Sequence, residues 1–241
     1  MIPVFAGNGR VVAPDLFRFG RSDKPLADEV YTFEFHRSSL LAFVDALDLR
    51  NITLVCQDWG GLLGLTLPMD RPDRFNRLLV MNTTLATGER PLGPSFEMWR
   101  AFNRSQPDLD VAALMERAAP SLSAAVAAAY SAPFPDKQYK AGVRRFADLV
   151  PASPDDPGAA TSRRAARWWT EEWSGSSFMA VGAQVPVLTP AMMEHLRATI
   201  RGCPPPMIIE DAGHFVQEQG EAAARSALKA FAADEATKPV Y

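Results

Sequence analysis

Cysteine, histidine and any marked excess of one charge are scarce in this 241-residue sequence. The two cysteines, Cys56 inside an apolar run and Cys203 in a turn, give neither a metal-ligand spacing nor a disulfide framework, so both read as structural thiols. Lys and Arg number 25 against 28 Asp and Glu, a net charge of −3, which excludes charge-steered binding to nucleic acid or an anionic membrane. No apolar stretch approaches the ~20 residues that span a bilayer, and the N-terminus lacks the basic and then apolar layout of a signal peptide. A cytoplasmic location and a small neutral substrate fit this balance. What is abundant is core: 47% hydrophobic residues against 22% charged, enough for one large globular domain with room for an insertion.

Short apolar runs alternate with amphipathic segments along the chain. Arg10–Ala13, Ile52–Cys56, Arg77–Asn82, Phe178–Gly182 and Met207–Glu210 predict strands. Phe33–Leu47, Gly61–Pro68, Ala191–Arg201 and Gly220–Ala233 predict helices between and after them. The alternation predicts an α/β fold, a mostly parallel sheet with helices on both faces. From Gly88 to about Arg164 the pattern turns to helical pieces punctuated by nine prolines, Pro91 through Pro157 and including Pro120, which predicts an inserted α-helical cap. The expected division is residues 1–87 as the first part of the main domain, 88–164 as the cap and 165–241 as the second part.

Cys56-Gln57-Asp58-Trp59-Gly60 sits where a strand passes into a helix. A strand, then small-x-nucleophile-x-small, then a helix describes a nucleophile elbow, here with an aspartate in the nucleophile position. The other reading is that Asp58 is an N-cap. His214, in Asp211-Ala212-Gly213-His214-Phe215 after the last strand, favours the first. An aspartate that attacks carbon to form an ester, and a histidine that takes a proton from the water that hydrolyses it, are a workable pair. His36 and His195 are expected on helix surfaces.

The sequence resembles the haloalkane dehalogenases of the α/β-hydrolase fold through APDLFRFGRSDKP (13 to 25), YTFEFHR (31 to 37), LVCQDWGGLLGLTLP (54 to 68), YSAPFPDKQYKAGVRRF (130 to 146) and DAGHFVQE (211 to 218). The resemblance implies displacement of halide from an alkyl carbon by Asp58, with His214 activating water and neither metal nor organic cofactor. It gives Trp59 two functions, since its indole N–H would donate to the leaving halide and its backbone N–H would join the oxyanion hole. The alternative is that Trp59 fills core. A second halide donor falls in one family variant where this chain has Ala118, and in another at a position matching Trp99, which otherwise packs the cap. Trp168, Trp169 and Trp173 read as packing residues.

Three departures from the family pattern stand out. The acid that should hold His214 falls at Val185, and the other place the family uses for it reads Asn82; Glu89 lies too far along its loop. The residues Met1-Ile2-Pro3-Val4-Phe5-Ala6 resemble the interior of the family, so its N-terminal strands, with their second oxyanion N–H, are expected to be missing. Arg18 stands where the family usually has Gly. A relative that keeps the fold but no activity is therefore the rival expectation. Epoxide hydrolysis, with Tyr130 and Tyr139 as the activating tyrosines, is a third. The oligomeric state is not encoded in any pattern above.

Overall fold

A computed structural model describes residues 1–119 and 122–237. Pro120 and the last four residues of the expected third segment, 238–241, lie outside the described residues. The elements run α1 (Ile2–Ala6), α2 (Phe33–Ala46), β1 (Ile52–Gln57), α3 (Asp58–Gly64) and β2 (Phe75–Met81). Four helices follow in the proline-rich stretch: α4 (Pro94–Ser105), α5 (Val111–Ala118), α6 (Ala124–Ser131) and α7 (Ala141–Leu149). The chain closes with α8 (Ala159–Glu171), β3 (Ser176–Gly182), α9 (Pro190–Thr199), β4 (Met207–Ile209) and α10 (Gly220–Thr237).

All pairings among the described strands are parallel, in the order β1-β2-β3-β4. Successive residues Leu78, Leu79 and Val80 are each fully buried, which requires both faces of β2 to be covered. On one face Leu79, Met81 and Ala180 pack with Ala223, Ala227 and Phe231 of α10, and Met1 and, from α1, Phe5 lie against the same cluster. Register then brings the carboxyl ends of the strands together, Gln57 beside Met81 and Gly182 beside Ile209. In parallel α/β sheets that edge is where chemistry collects.

One expected strand is absent: residues 10–13 take no regular structure, because a strand needs a ladder partner and none of the described residues supplies one. The other four expected strands and four helices form, with ends moved by a few residues.

The contacts divide the chain into two compact units. One comprises Met1–Val12, Leu41–Leu85 and Thr161–Tyr241; the other comprises Ala13–Leu40 and Ala86–Ala160. Residues 13–40 thus group with the proline-punctuated helices, which the sequence did not predict. Arg18 is one cause. It is fully buried at φ +80, donates from Nε to the Tyr139 carbonyl and from Nη1 to the carbonyls of Lys24 and Pro25, and its guanidinium lies against the rings of Tyr31 and Tyr139. A second tie is the ion pair of Asp28 with Arg144, at 2.9 Å. The left-handed φ at position 18 explains why glycine is at home there, and the three carbonyls what arginine gains.

His36 is not on the surface. It is fully buried among Tyr31, Phe35 and Phe146, and neither ring nitrogen has a hydrogen-bond partner among the described residues. Burial alone pushes its pKa down from 6.5 to about 4. A histidine kept neutral in the fold takes up its proton only on unfolding, so stability is full above about 6.5 and falls as pH drops toward 4. The loss reaches ~3 kcal/mol at the acid end of that window. His36→Phe is expected to remove it, so that urea midpoints at pH 7.5 and pH 5 converge relative to the parent protein; an unchanged acid dependence would refute the assignment.

Candidate active site

β1 ends at Gln57 in extended backbone, φ −150, and the next residue, Asp58, begins α3 at φ +47. A left-handed aspartate costs roughly 1–2 kcal/mol relative to an ordinary helical start. Two bonds hold it there. The Asp58 N–H donates to the Asn82 carbonyl at 3.0 Å, and the Thr83 hydroxyl donates to the Asp58 carbonyl at 2.6 Å. Gly61 permits the second, since a Cβ there would strike the Thr83 side chain. The result is a side chain lifted off the end of the strand, with 40% of its surface exposed. Asp58 is not an N-cap: Gln57 occupies that position, and Asp58 is the first helical residue.

His214 arrives from the loop after β4, which packs closely on the end of β3. The Gln184 N–H donates to the Ala212 carbonyl at 3.0 Å, and a side chain at Gly182 would collide with the Gly213 carbonyl. The Nε2 of His214 stands 3.2 Å from Asp58 Oδ1. Burial works against charge on both groups, and their pairing outweighs it in each case. The His214 pKa is raised above 6.5 by the hydrogen bond to Asp58 and its charge. The Asp58 pKa is lowered below 3.8 by His214 and by the backbone N–H of Trp59. The ion pair is therefore intact from below the usual carboxylate range to above the usual histidine range, lost on the acid side through Asp58 and on the alkaline side through His214.

On its other side, Nδ1 is buried with no hydrogen-bond partner among the described residues. Val185 is an apolar, 8% exposed residue in the loop after β3. Asn82 is fully buried and fully committed elsewhere. Its Oδ1 accepts from the Gly182 N–H at 2.9 Å, and its Nδ2 donates to the carbonyls of Leu188 at 3.1 Å and Gly182 at 3.4 Å. It ties β2 to β3, and none of these bonds goes to His214. Glu89 is an exposed loop residue.

Trp59 is 9% exposed on α3, directly after Asp58. Trp99 lies on α4 in the second unit, its ring 6.1 Å from that of Phe102. Trp168, Trp169 and Trp173 form one aromatic cluster, with Trp169 Nε1 donating to the Leu65 carbonyl. A cleft of about 330 Å³ beside that cluster, lined by Phe75, Trp168 and Trp173, opens at the far end of β2 from Asp58 and brings no second titratable group to its one carboxylate, Glu172. Cys56 and Cys203 are free and buried, and burial pushes each thiol up to about 12. Among the described residues no group of three His, Cys, Asp or Glu side chains is placed to hold a metal ion, and no helix is long and apolar enough to cross a membrane.

Two contributors were not expected from sequence. Thr83 props the turn. Gln57, half-buried, donates from Nε2 to the His214 carbonyl at 2.9 Å and lies 3.4 Å from His214 Nε2. Its adjacency to Asp58 was the available signal.

The α/β-hydrolase fold family profile matches residues 1–221. A haloalkane dehalogenase of Psychrobacter cryohalolentis is 42% identical over 232 residues, 93% of this chain and 75% of that protein. One from Mycolicibacterium paratuberculosis is 40% identical over 88% of this chain and 70% of its own length. Among solved structures, the tetrameric haloalkane dehalogenase DpaA of Paraglaciecola agarilytica superposes with a TM-score of 0.93 at 54% identity, over 96% of this chain and 78% of that one.

The pairing itself is open to test. Asp58→Asn leaves burial unopposed at His214, so its pKa is expected to move from above 6.5 to below it in an NMR titration. A His214 that still titrates above 6.5 in the variant would mean that another group holds its charge.

Proposed function

The chain belongs to the α/β-hydrolase family and, within it, to the haloalkane dehalogenases, and from that premise we propose that it converts a small neutral haloalkane and water to an alcohol and halide through an ester on Asp58. The observation that carries this reading is the 3.2 Å approach of His214 Nε2 to a carboxylate on a left-handed strand-to-helix turn. In the first step an Asp58 oxygen attacks the carbon bearing the halogen; the C–O bond forms as the C–halogen bond breaks and its electron pair leaves with the halide. Trp59 donates its indole N–H to that halide, and Trp99 is the candidate second donor from the inserted helices, which serve as a cap over residues 88–164. In the second step His214 Nε2 takes a proton from water and the hydroxide adds to the ester carbonyl. The Trp59 backbone N–H, already bonded to the Asp58 carboxylate, supports the oxyanion. Collapse breaks the bond between the carbonyl carbon and the alkyl oxygen, the alkoxide takes the proton from His214 and leaves as the alcohol, and the new carboxyl of Asp58 ionises, returning its proton to His214.

The steps are not equally equipped. The ion pair keeps Asp58 ionised and therefore nucleophilic at neutral pH. Hydrolysis needs His214 to carry a proton after Asp58 has lost its charge to the ester, and its unpartnered Nδ1 offers no acid to stabilise that state. In a serine protease, weakening this acid costs ~10⁴ in turnover. That feature favours the second reading, a relative with impaired or absent turnover. The dehalogenase relatives favour carbon–halogen over epoxide cleavage, and Tyr139 is engaged with Arg18. A cytoplasmic location belongs to this reading, supported by the two free buried thiols.

Incubation with a short bromoalkane is expected to leave an alkyl group on the Asp58 peptide by mass spectrometry, with free bromide near one equivalent of protein. Absence of both adduct and bromide would establish the inactive reading. Val185→Asp places a carboxylate in the loop after β3, next to Gln184, whose N–H bonds the loop that carries His214, and is expected to raise steady-state bromide release by at least about tenfold while the first equivalent appears at the parent rate. Equal turnover in parent and variant would show that position 185 does not serve Nδ1.

A further inference from the structure

A triad acid acts on its histidine in two ways. By accepting from Nδ1–H it selects the tautomer that leaves a lone pair on Nε2, and by its charge it stabilises the imidazolium. Here Nδ1 has no partner, so whatever selects the tautomer must act from the other nitrogen. Gln57 stands there. A backbone carbonyl only accepts, so the group of the Gln57 carboxamide 2.9 Å from the His214 carbonyl is the NH₂, which fixes the orientation of the amide. The same nitrogen lies 3.4 Å from His214 Nε2, and it offers that ring atom a donor.

In the resting protein this donor has little to do. Asp58 Oδ1, 3.2 Å away, keeps a proton on Nε2. Esterification of Asp58 removes that charge, the imidazolium gives up a proton to solvent, and the neutral ring must choose between its two tautomers. A donor at Nε2 favours the lone pair there and the hydrogen on Nδ1, the same tautomer that an acid would select from the opposite side.

We infer that Gln57 is a positioning residue that holds His214 in the base-competent tautomer once Asp58 carries the alkyl group, an inference that rests on the ester mechanism proposed above. It replaces one action of the acid and not the other. An amide has no charge to offer the imidazolium, and its N–H must yield Nε2 to the hydrolytic water, so hydrolysis stays the slow step even with the ring correctly set.

The chain has three histidines, which keeps nitrogen-15 spectra of the ring signals assignable. In the alkyl-enzyme formed with a short bromoalkane, His214 is expected to show a protonated Nδ1 and an unprotonated Nε2. Gln57→Met, of similar length but without a donor, is expected to shift the proton to Nε2 and slow decay of the ester by at least about tenfold, a fraction of the roughly 10²–10⁴ that acid–base assistance supplies, and by a larger factor than it slows the bromide burst. A parent-like tautomer and decay rate in Gln57→Met would overturn the inference, as would burst and decay slowed by one common factor, the mark of a purely structural role. Should Gln57→Met fail to fold, Gln57→Glu presents an acceptor to Nε2 in place of a donor; rapid decay of its ester would be equally fatal. If the parent forms no adduct, the ester mechanism falls instead, and the tautomer is read in Asp58→Asn, uncharged like the ester. There the Nδ1–H form and its loss in Asp58→Asn/Gln57→Met support the role of Gln57, and an identical tautomer in both refutes it.

Discussion

The left-handed backbone at Asp58 is the constraint on which the site depends. A six-residue parallel strand runs into a helix with no intervening loop, and one residue must absorb the change of direction. The turn lasts only because its neighbours determine it: the Asn82 carbonyl and Thr83 hydroxyl, from the end of the adjacent strand, clamp the Asp58 backbone from both sides. The strain is thus balanced by β2 in its register against β1, and the site's geometry is a property of the sheet. Asn82 extends the same logic sideways, since its carboxamide ties the end of β2 to Gly182, and Gly182 permits the close approach of the loop that carries His214. Each strand end holds the next.

Within that frame the electrostatics favour one step over the other. Two groups that burial would neutralise keep each other charged, which readies a carboxylate for attack on carbon. In the proposed mechanism the arrangement consumes itself: the product of the first step is an ester, and the charge that sustained His214 vanishes with it. An acid at Nδ1 would carry the histidine through that moment because its charge is not spent in the reaction. With no acid at Nδ1 among the described residues, only neutral hydrogen bonding remains, and on the proposed reading the orientation of the ring passes to Gln57.

Much of this is legible in the sequence, and for definable reasons. Four strands and the helices between them follow from apolar runs whose period and length leave little choice. Asp58 stands out because an aspartate between small residues at a strand-to-helix junction is unusual, and His214 because it follows the last strand; the structure sets the two 3.2 Å apart. The strand expected at Arg10–Ala13 fails for a physical reason: a strand is a pairing, and an apolar run does not announce its partner. The surface position expected for His36 fails because a helix face is assigned by its neighbours in space, and Tyr31 and Phe146 are far apart in sequence. The grouping of residues 13–40 with the inserted helices is hidden for the same cause, since it turns on Arg18 reaching the carbonyl of Tyr139.

Gln57 is the more instructive omission. It adjoins Asp58, yet its role depends on which end of its amide faces the histidine, and only the position of the His214 carbonyl settles that. The same carbonyl anchors the loop, so a single amide nitrogen both fixes where His214 sits and presents a donor to its ring. That double duty explains how an imidazole with a bare Nδ1 can be held in place at all: the loop is tied to the strand that bears Asp58 by Gln57, and to the strand that precedes Val185 by the backbone of Gln184 and the missing side chain of Gly182. Position and tautomer can be supplied by neutral groups of this kind. Charge cannot, and it is charge that the hydrolytic step requires.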